Sequence, residues 1–290
     1  MSGPATPVFR FAPSPNGRLH LGHAYSALLN ADLAVRTIGR LLLRIEDIDP
    51  VRSRPELIEA ILSDLAWLGL RFAAPVRRQS RHMETYRAKL GALAARGLAY
   101  PCFCSRSAIR ARTATTSGSA AVDPDGTPLY PGTCRQMPEA ERATRLAGGK
   151  PHGWRLDMAR AVSAAPGAYA YRAFDPDFEE RSVSADPVRW GDAMIGRRDG
   201  ATSYHLAVVL DDAEQGVTHV VRGLDLEAAT DLHVLLQRLF GLPSPRYHHH
   251  GLIRDANGEK LAKSRGSIAL ADLRAQGTSP AEIRARLGFS

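Results

Sequence analysis

The chain has 290 residues, 44% of them hydrophobic, so it can bury the core of one large domain or two modest ones. It has no run of eighteen apolar residues and no charged N-terminal region followed by an apolar stretch, which argues against a membrane segment and predicts a cytoplasmic protein. The net charge of +8 suits a polyanionic partner such as nucleic acid, although an arginine-rich proteome explains it equally well. Three cysteines in such a chain favour a metal site or plain thiols over a disulfide framework.

Residues 8–45 predict a βαβ unit. The apolar run 8–12 is ended by Pro13 and Pro15, because proline cannot donate to a sheet ladder. Apolar residues then recur at helical spacing until Gly39, and residues 41–45 form a second buried strand. The pattern therefore indicates an α/β fold at the start of the chain.

Two histidines lie at the start of the predicted helix. His20 and His23 are three residues apart and share one helix face, and Gly22 between them leaves space beside the backbone. A helix N-terminus attracts phosphate, and two imidazoles there can donate hydrogen bonds to the same anion. Taken alone, two histidines on a helix are more often incidental.

The context makes the histidine pair specific. Residues 13–17 (PSPNG), 20–23 (HLGH) and 41–49 (LLLRIEDID) together resemble the HIGH signature of class I aminoacyl-tRNA synthetases, in the form used by the glutamyl and glutaminyl enzymes. Residues 258–264 (GEKLAKS) resemble the KMSKS loop of the same family. The resemblance implies an α/β class I synthetase fold, that is, a Rossmann-like nucleotide-binding fold with an inserted zinc-containing subdomain and no anticodon-binding domain.

The KMSKS-like loop implies a cation for the ATP phosphates. Charge develops on those phosphates as a carboxylate attacks, and Lys263 is the candidate that meets it. Ala262 replaces the serine of the usual pattern, so we expect weaker loop closure. The resemblance implies catalytic roles for His20, His23 and Lys263, and ATP binding by His20, Gly22, His23, Lys260 and Lys263.

Another predicted strand, residues 217–223, delivers Arg222 at its C-terminal end, where ligands collect in open α/β sheets. Arginine grips a carboxylate through two parallel hydrogen bonds, although without the family context a surface salt bridge would be the favoured reading. The resemblance implies that Tyr204 and Arg222 contact glutamate and that Glu46 pairs with its ammonium group. The implied glutamate-binding set is Arg10, Phe11, Ala12, Pro13, Ser14, Glu46, Tyr204 and Arg222.

Three thiolates could fill three corners of a zinc tetrahedron, and a structural site needs a fourth ligand. Cys102 and Cys104 form a Cys-x-Cys pair, a poorer zinc signal than Cys-x-x-Cys, so idle thiols are the alternative. Some bacterial glutamyl-type enzymes are similar, with the tyrosine of a later Y-x-x-x-C as fourth ligand, and Tyr130 and Cys134 match that pattern. The intervening residues 105–129 predict an inserted flexible loop.

The remaining patterns complete the expected order of elements. Helices are predicted at residues 56–70, 80–96, 139–146 and 231–240, and strands at 152–158, 177–183, 191–200 and 202–212. Neighbouring side chains of the extended triplet 248–250 (HHH) point to opposite faces, which favours a strand lining the site over a metal site.

Four regions follow by resemblance. Residues 1–100 are the first half of the catalytic domain, 101–190 an inserted acceptor-type zinc subdomain, 191–265 the second half with the KLAKS loop, and 266–290 a short helical tail. Only 26 residues follow Ser264, whereas an ordinary glutamyl enzyme has a helical anticodon-binding region there.

One branch of the family has this short architecture. Its members activate L-glutamate with ATP without needing tRNA, and then transfer it to the queuosine base in the anticodon of tRNA(Asp). The resemblance therefore implies a monomeric ATP-dependent glutamyl ligase that uses Mg²⁺ with ATP and carries one structural Zn²⁺.

Three alternatives share some of these features. A truncated glutamyl-tRNA synthetase that charges the tRNA 3′ end has the same active site. A non-enzymatic tRNA-binding paralogue would be expected to lose HxGH or the second lysine, and both are present. A nucleotidylyltransferase shares HxGH but does not explain the RIEDID and VVRG segments.

Overall fold

The structure is a computed structural model that describes residues 6–114, 121–200, 202–253 and 268–289. The strands among them are Val8–Phe11 (β1), Arg40–Ile45 (β2), Ala73–Arg78 (β3), Ala99–Cys102 (β4), Gly153–Leu156 (β5), Ala170–Phe174 (β6), Glu180–Ser184 (β7), Met194–Gly196 (β8), His219–Gly223 (β9) and Arg246–His250 (β10). The α-helices are Leu21–Arg36 (α1), Pro55–Trp67 (α2), Met83–Ala95 (α3), Arg106–Ala114 (α4), Glu139–Ala147 (α5), Met158–Ala164 (α6), Tyr204–Glu214 (α7), Ala229–Phe240 (α8), Leu270–Ala275 (α9) and Pro280–Arg286 (α10). None of the described helices is long and apolar enough to cross a membrane.

Seven strands form the large sheet, in the order β3-β2-β1-β9-β10-β6-β7. All neighbours are parallel except β6 and β7. Strands β2 and β3 lie on one side of β1, and the late strands β9 and β10 lie on the other. The strand order therefore reverses between β1 and β9, and a crevice at such a switch point is the usual ligand site of an open α/β sheet.

The predicted βαβ unit is confirmed. β1 and β2 pair in parallel with Phe9 opposite Leu41, and α1 connects them. Behind this unit, α1, α2, α9 and α10 bury one apolar cluster that includes Ile61, Leu65 and Leu270. This packing holds the carboxyl ends of β1 and β2 and the start of α1 in fixed positions.

The predicted strand at residues 202–212 is wrong, because most of this segment forms helix α7. Ser203 caps the helix by accepting a hydrogen bond from the Leu206 backbone N–H at 3.2 Å. Every residue from Leu206 to Asp212 is buried, so the helix has no polar face to reveal its period. The helix instead packs between α8 and α3.

A smaller antiparallel sheet, β4-β5-β8, lies beside the large one. The strand predicted within residues 191–200 belongs here, because Gly196 pairs with Trp154 of β5. The flexible loop predicted at residues 105–129 is partly wrong, since it contains helix α4 and a turn closed by pairing of Val122 with Pro128.

Strand β6 was not predicted. The alanine-rich stretch in which it begins also contains α6, capped by the Asp157 carboxylate, which accepts from the Arg160 N–H. β6 pairs with β10 through Ala173 and Tyr247, and so joins β7 to the large sheet. Residues 170–184, within the range expected to be an insertion, therefore extend the sheet that carries the site.

Candidate active site and metal centre

The start of α1 is built from its two histidines. Nδ1 of His20 accepts the Gly22 N–H at 3.1 Å, and Nδ1 of His23 accepts the His20 N–H at 3.2 Å, so the two imidazoles form a reciprocal capping box. Their ring centroids are 3.9 Å apart. A neutral imidazole that accepts at Nδ1 carries its proton on Nε2, so each ring presents an Nε2–H donor.

Gly22 is required by the histidine cap. A Cβ atom at this position would lie 3.0 Å from Cε1 of His20, closer than side chains normally pack. The missing side chain therefore makes room for the His20 ring as well as for an approaching ligand.

A cleft of about 690 Å³ opens at the carboxyl ends of β1, β2 and β9. All the predicted glutamate-binding residues line it, together with the predicted ATP-binding residues at the start of α1. These eleven are Arg10, Phe11, Ala12, Pro13, Ser14, His20, Gly22, His23, Glu46, Tyr204 and Arg222. Residues separated by more than 200 positions in the chain thus meet in one cavity.

A buried network of charges supports the floor of the cleft. The Asp212 carboxylate accepts from Arg10 Nε at 3.1 Å and from Arg44 Nη2 at 2.7 Å. The side chains of the two arginines are 4% and 0% exposed, and Asp212 is 8% exposed. The Arg10 guanidinium is therefore fixed beneath the cleft by a carboxylate of helix α7.

Glu46 is the acidic group of the predicted set. It follows β2, is buried, and its Oε1 lies 3.6 Å from Arg44 Nε. Burial raises the pKa of Glu46 to about 7, although the nearby Arg44 and Arg10 act in the opposite direction. The carboxyl group can therefore change charge near neutral pH, and a cationic ligand would favour its ionised form.

Arg222 and Tyr204 meet at the other side of the cleft. Nη1 of Arg222 donates to the Tyr204 hydroxyl at 3.2 Å, although the two residues lie on different elements, β9 and α7. Arg222 is only 5% exposed. The pair predicted from the sequence is therefore a contact in the folded protein.

Both lysines of the KLAKS segment, Lys260 and Lys263, lie outside the described residues. The described residues on either side of it are at the cleft. Leu252 and Ile253 line the cavity, and Ala269 forms a β-bridge with His20.

The three cysteines form one cluster. The Sγ atoms of Cys102, Cys104 and Cys134 lie within 4.8 Å of one another, and the Tyr130 hydroxyl lies 3.4 Å from the Sγ of Cys104. With Zn–S bonds of about 2.3 Å, a tetrahedral zinc ion needs sulfur atoms roughly at this separation. The cluster therefore fits a metal held by three thiolates, and the phenol oxygen of Tyr130 lies beside it.

Arg155 supplies positive charge to this cluster. Its Nε lies 3.4 Å from the Sγ of Cys102, and its guanidinium carbon lies 3.9 Å above the Tyr130 ring. Three thiolates outweigh the charge of a divalent cation, so a guanidinium at this position favours the ionised ligands. The sequence offered no signal for Arg155, which is a single arginine in strand β5.

Several residues of the site were missed because their signals depend on tertiary structure. Asp212 falls within the segment that the sequence predicts to be a strand. Thr230 and His233 of α8 and His249 of β10 contact Arg222 of β9 across the fold. The HHH triplet does lie in a strand, as predicted, and His250 lines the cleft.

Comparisons with known proteins agree with this geometry. Residues 8–289 match the family model described as tRNA synthetases class I (E and Q), catalytic domain. The chain is 46% identical to the Glutamyl-Q tRNA(Asp) synthetase of Rhodobacter capsulatus, covering 97% of this chain and 100% of the relative. It is 39% identical to Glutamate--tRNA ligase 2 of Nitrosococcus oceani, covering 96% of this chain but 58% of that relative.

A solved structure is also similar. The glutamate tRNA ligase from Elizabethkingia meningosepticum, in complex with its amino acid, superposes with a TM-score of 0.72 at 29% identity. The match covers 90% of this chain and 52% of that chain, so the present protein spans about half of the ligase. The chain belongs to the class I aminoacyl-tRNA synthetase family of glutamyl and glutaminyl enzymes, as their catalytic domain.

Proposed function

We propose that this protein activates L-glutamate with ATP, without needing tRNA, and transfers the glutamyl group to the queuosine base of tRNA(Asp). The observation that carries the proposal is the 46% identity to a relative named Glutamyl-Q tRNA(Asp) synthetase over that relative's whole length. Relatives of the same name from Symbiobacterium thermophilum and Nocardia farcinica are each 41% identical.

The charges of the cleft suit glutamate. Arg222 and Tyr204 offer donors for a carboxylate, and Glu46 offers an anionic partner for an ammonium group. Arg10 adds a second buried cation on the same floor, balanced by Asp212. A zwitterionic amino acid with one further negative charge matches this distribution better than a neutral amino acid does.

The first step is adenylate formation. The α-carboxylate of glutamate attacks the α-phosphorus of ATP in line, the bond to the bridging oxygen breaks, and pyrophosphate leaves. The Nε2–H donors of His20 and His23 would stabilise the phosphates, and Lys263 would offset the charge on the leaving group. Mg²⁺, when bound with ATP, neutralises phosphate charge.

The chemistry requires no side-chain nucleophile. It depends on holding the carboxylate and the phosphate in line and on donors fixed before the reaction starts. The histidine cap supplies that rigidity at the start of α1, because each ring is already held by a backbone N–H. In the second step a hydroxyl group of the queuosine base attacks the acyl carbon, and AMP leaves.

We assign Cys102, Cys104, Cys134 and Tyr130 as ligands of one structural zinc ion. The assignment rests on the closeness of the three sulfur atoms and the phenol oxygen, and on the guanidinium of Arg155 beside them. Zinc would tie the end of β4 to the turn at residue 134. Cys104 and Cys134, whose sulfur atoms are in contact, are 30 residues apart in the sequence.

Amino-acid-dependent ATP–pyrophosphate exchange in the absence of tRNA tests the activation step. We expect exchange with L-glutamate and none with L-glutamine or L-aspartate. Exchange that requires added tRNA would contradict the tRNA-independent activation proposed here, and exchange with glutamine would contradict the assignment of the substrate.

A further inference from the structure

Arg222 is held by an unusual set of partners. Its Nε donates to Nε2 of His249 at 3.3 Å, and its Nη2 donates to the Thr230 hydroxyl at 2.7 Å. Its Nη1 lies 3.3 Å from Nδ1 of His233 and also donates to Tyr204. We call Thr230, His233 and His249 the Arg222 cage.

None of these partners is a carboxylate. Within the described residues, no acidic side chain forms an ion pair with Arg222, and the acidic group near the cage, Glu227, lies 4.0 Å from the far nitrogen of His249, Nδ1. By contrast, Arg10 and Arg44 both pair with Asp212. Arg222 is thus a buried cation that neutral partners hold through four of its five N–H groups, and no carboxylate of the described residues pairs with it.

The cage histidines are suited to remain neutral. Burial, reinforced by the charge of Arg222, lowers the pKa of His249 to about 3 and that of His233 well below its usual value. A neutral imidazole can accept a hydrogen bond from a guanidinium, whereas a protonated one would repel it. His205 completes the arrangement, since its Nδ1 lies 3.2 Å from Nε2 of His233.

We propose that the Arg222 cage is a specificity device that fixes the guanidinium with neutral acceptors and so reserves its charge for the side-chain carboxylate of the substrate. The inference rests on the proposed use of glutamate and adds how the acid is told from the amide. The reacting α-carboxylate has to face His20 and His23, which leaves the side-chain carboxylate for Arg222. A neutral amide cannot offset the buried charge, so glutamine is rejected.

Substitutions at His249 separate charge from packing. His249→Glu places a carboxylate against Nε of Arg222 and offsets its charge, His249→Gln keeps a neutral acceptor, and His249→Leu removes the acceptor. The matched control is His248→Glu, which adds the same charge one residue earlier on the opposite face of β10, where His248 contacts the Phe174 carbonyl oxygen.

The measurement is calorimetric binding of L-glutamate, L-glutamine and the α-amide isoglutamine, without ATP. We expect His249→Glu to lower the preference for glutamate over glutamine by on the order of 100-fold, the range seen when buried charge pairs are disturbed. His249→Gln should keep most of the wild-type preference for glutamate, and the preference of His249→Leu should lie between those of the Gln and Glu variants. The preference of His248→Glu should stay within about threefold of wild type.

Three results would overturn the inference. They are an unchanged preference in folded His249→Glu, an equal loss in His249→Gln and His249→Glu, and an equal loss in His248→Glu. If thermal unfolding shows that His249→Glu does not fold, Thr230→Asp brings a carboxylate to Nη2 of the same guanidinium, and the same outcomes decide. Because binding is measured without ATP, a charge-dependent preference in a protein that exchanges no pyrophosphate would uphold the cage and refute the proposed function. Pyrophosphate exchange with glutamate, together with equal binding of glutamate and glutamine, would uphold the proposed function and refute the cage.

Discussion

Glutamate binding should weaken as pH falls from 8 to 6, because Glu46 loses its charge in this range. Burial raises the pKa of Glu46 to about 7, so the carboxyl group is largely ionised at pH 8 and largely neutral at pH 6. In the proposed complex only the ionised form pairs with the ammonium group of the substrate. The ligand keeps its own charges over this interval, since its carboxylates titrate lower and its amino group higher.

The size of the effect follows from that pKa. If only the ionised form binds, the apparent dissociation constant is multiplied by one plus the ratio of neutral to ionised Glu46. That factor is about 1.1 at pH 8 and about 11 at pH 6, so affinity should fall about tenfold, or about 1.4 kcal/mol. The variant Glu46→Gln should bind glutamate weakly at both pH values.

The raised pKa of Glu46 also affects the stability of the folded protein. A carboxyl group whose pKa is higher in the folded protein than in the unfolded chain favours folding less as pH rises through that interval. From the usual 4.5 to about 7, the loss amounts to about 3 kcal/mol at pH 8. Glu46→Gln should therefore unfold at higher denaturant concentration than wild type at pH 8 and at a similar concentration at pH 4.

Calorimetric titration of glutamate at half-unit steps of pH, without ATP, measures the binding effect, and urea unfolding at pH 8 and pH 4 measures the stability effect. A dissociation constant that stays flat between pH 6 and pH 8 would refute the assignment of Glu46 to the ammonium group. A Glu46→Gln variant less stable than wild type at pH 8 would refute the raised pKa.

Three further predictions test other parts of the structure. Asp212→Asn removes the charge shared by two buried arginines and should lower the free energy of unfolding, measured with urea, by about 3–5 kcal/mol. The control Glu214→Gln, at the exposed end of the same helix, should lower it by less than about 1 kcal/mol. Equal losses would contradict the buried network. Purified protein should contain about one zinc per chain by metal analysis, and Cys134→Ser should lower that content more than Tyr130→Phe; wild-type protein without zinc would remove the metal centre. Lys263→Ala should reduce glutamate-dependent pyrophosphate exchange by on the order of 100-fold or more with little change in glutamate binding, and an unchanged rate would exclude Lys263 from the mechanism.

Much of the fold could be predicted where the physical signal is local. The βαβ unit is confirmed, and its signals are local in the sequence. They are Pro13 and Pro15, the helical spacing that follows them, and Gly39. Helices α2, α5 and α8 are each followed by a glycine that marks the end of the helix, so their predicted ranges agree with the structure to within a few residues.

The errors arose where tertiary packing overrides the local pattern. Helix α7 is buried from Leu206 to Asp212, so its run of apolar residues resembles a parallel strand. Strand β6 begins in an alanine-rich stretch and exists because β10 and β7 pair with it. Helix α4 was missed within residues 105–129, which have a composition typical of loops.

The same division applies to the candidate site. His20, Gly22 and His23 are close in sequence, and Arg222 ends a recognisable strand, so family resemblance could assign all of them to one site. The structure brings them into one cleft. The neutral partners of Arg222 lie on α8 and β10, and no spacing in the sequence predicts that a histidine of one element will accept from an arginine of another.

The central claim is that glutamate goes to a modified base and not to the tRNA 3′ end. The most direct measurement is transfer of radiolabelled glutamate, with ATP, to tRNA(Asp) containing queuosine, to the same tRNA without queuosine, and to tRNA(Glu). We expect label only on the queuosine-containing tRNA, and we expect nuclease digestion of the labelled tRNA to release it with the anticodon fragment and not with the 3′-terminal adenosine. Labelling of tRNA(Glu) that is released with the 3′-terminal adenosine would instead identify a charging enzyme like the Nitrosococcus oceani relative, and would contradict the account.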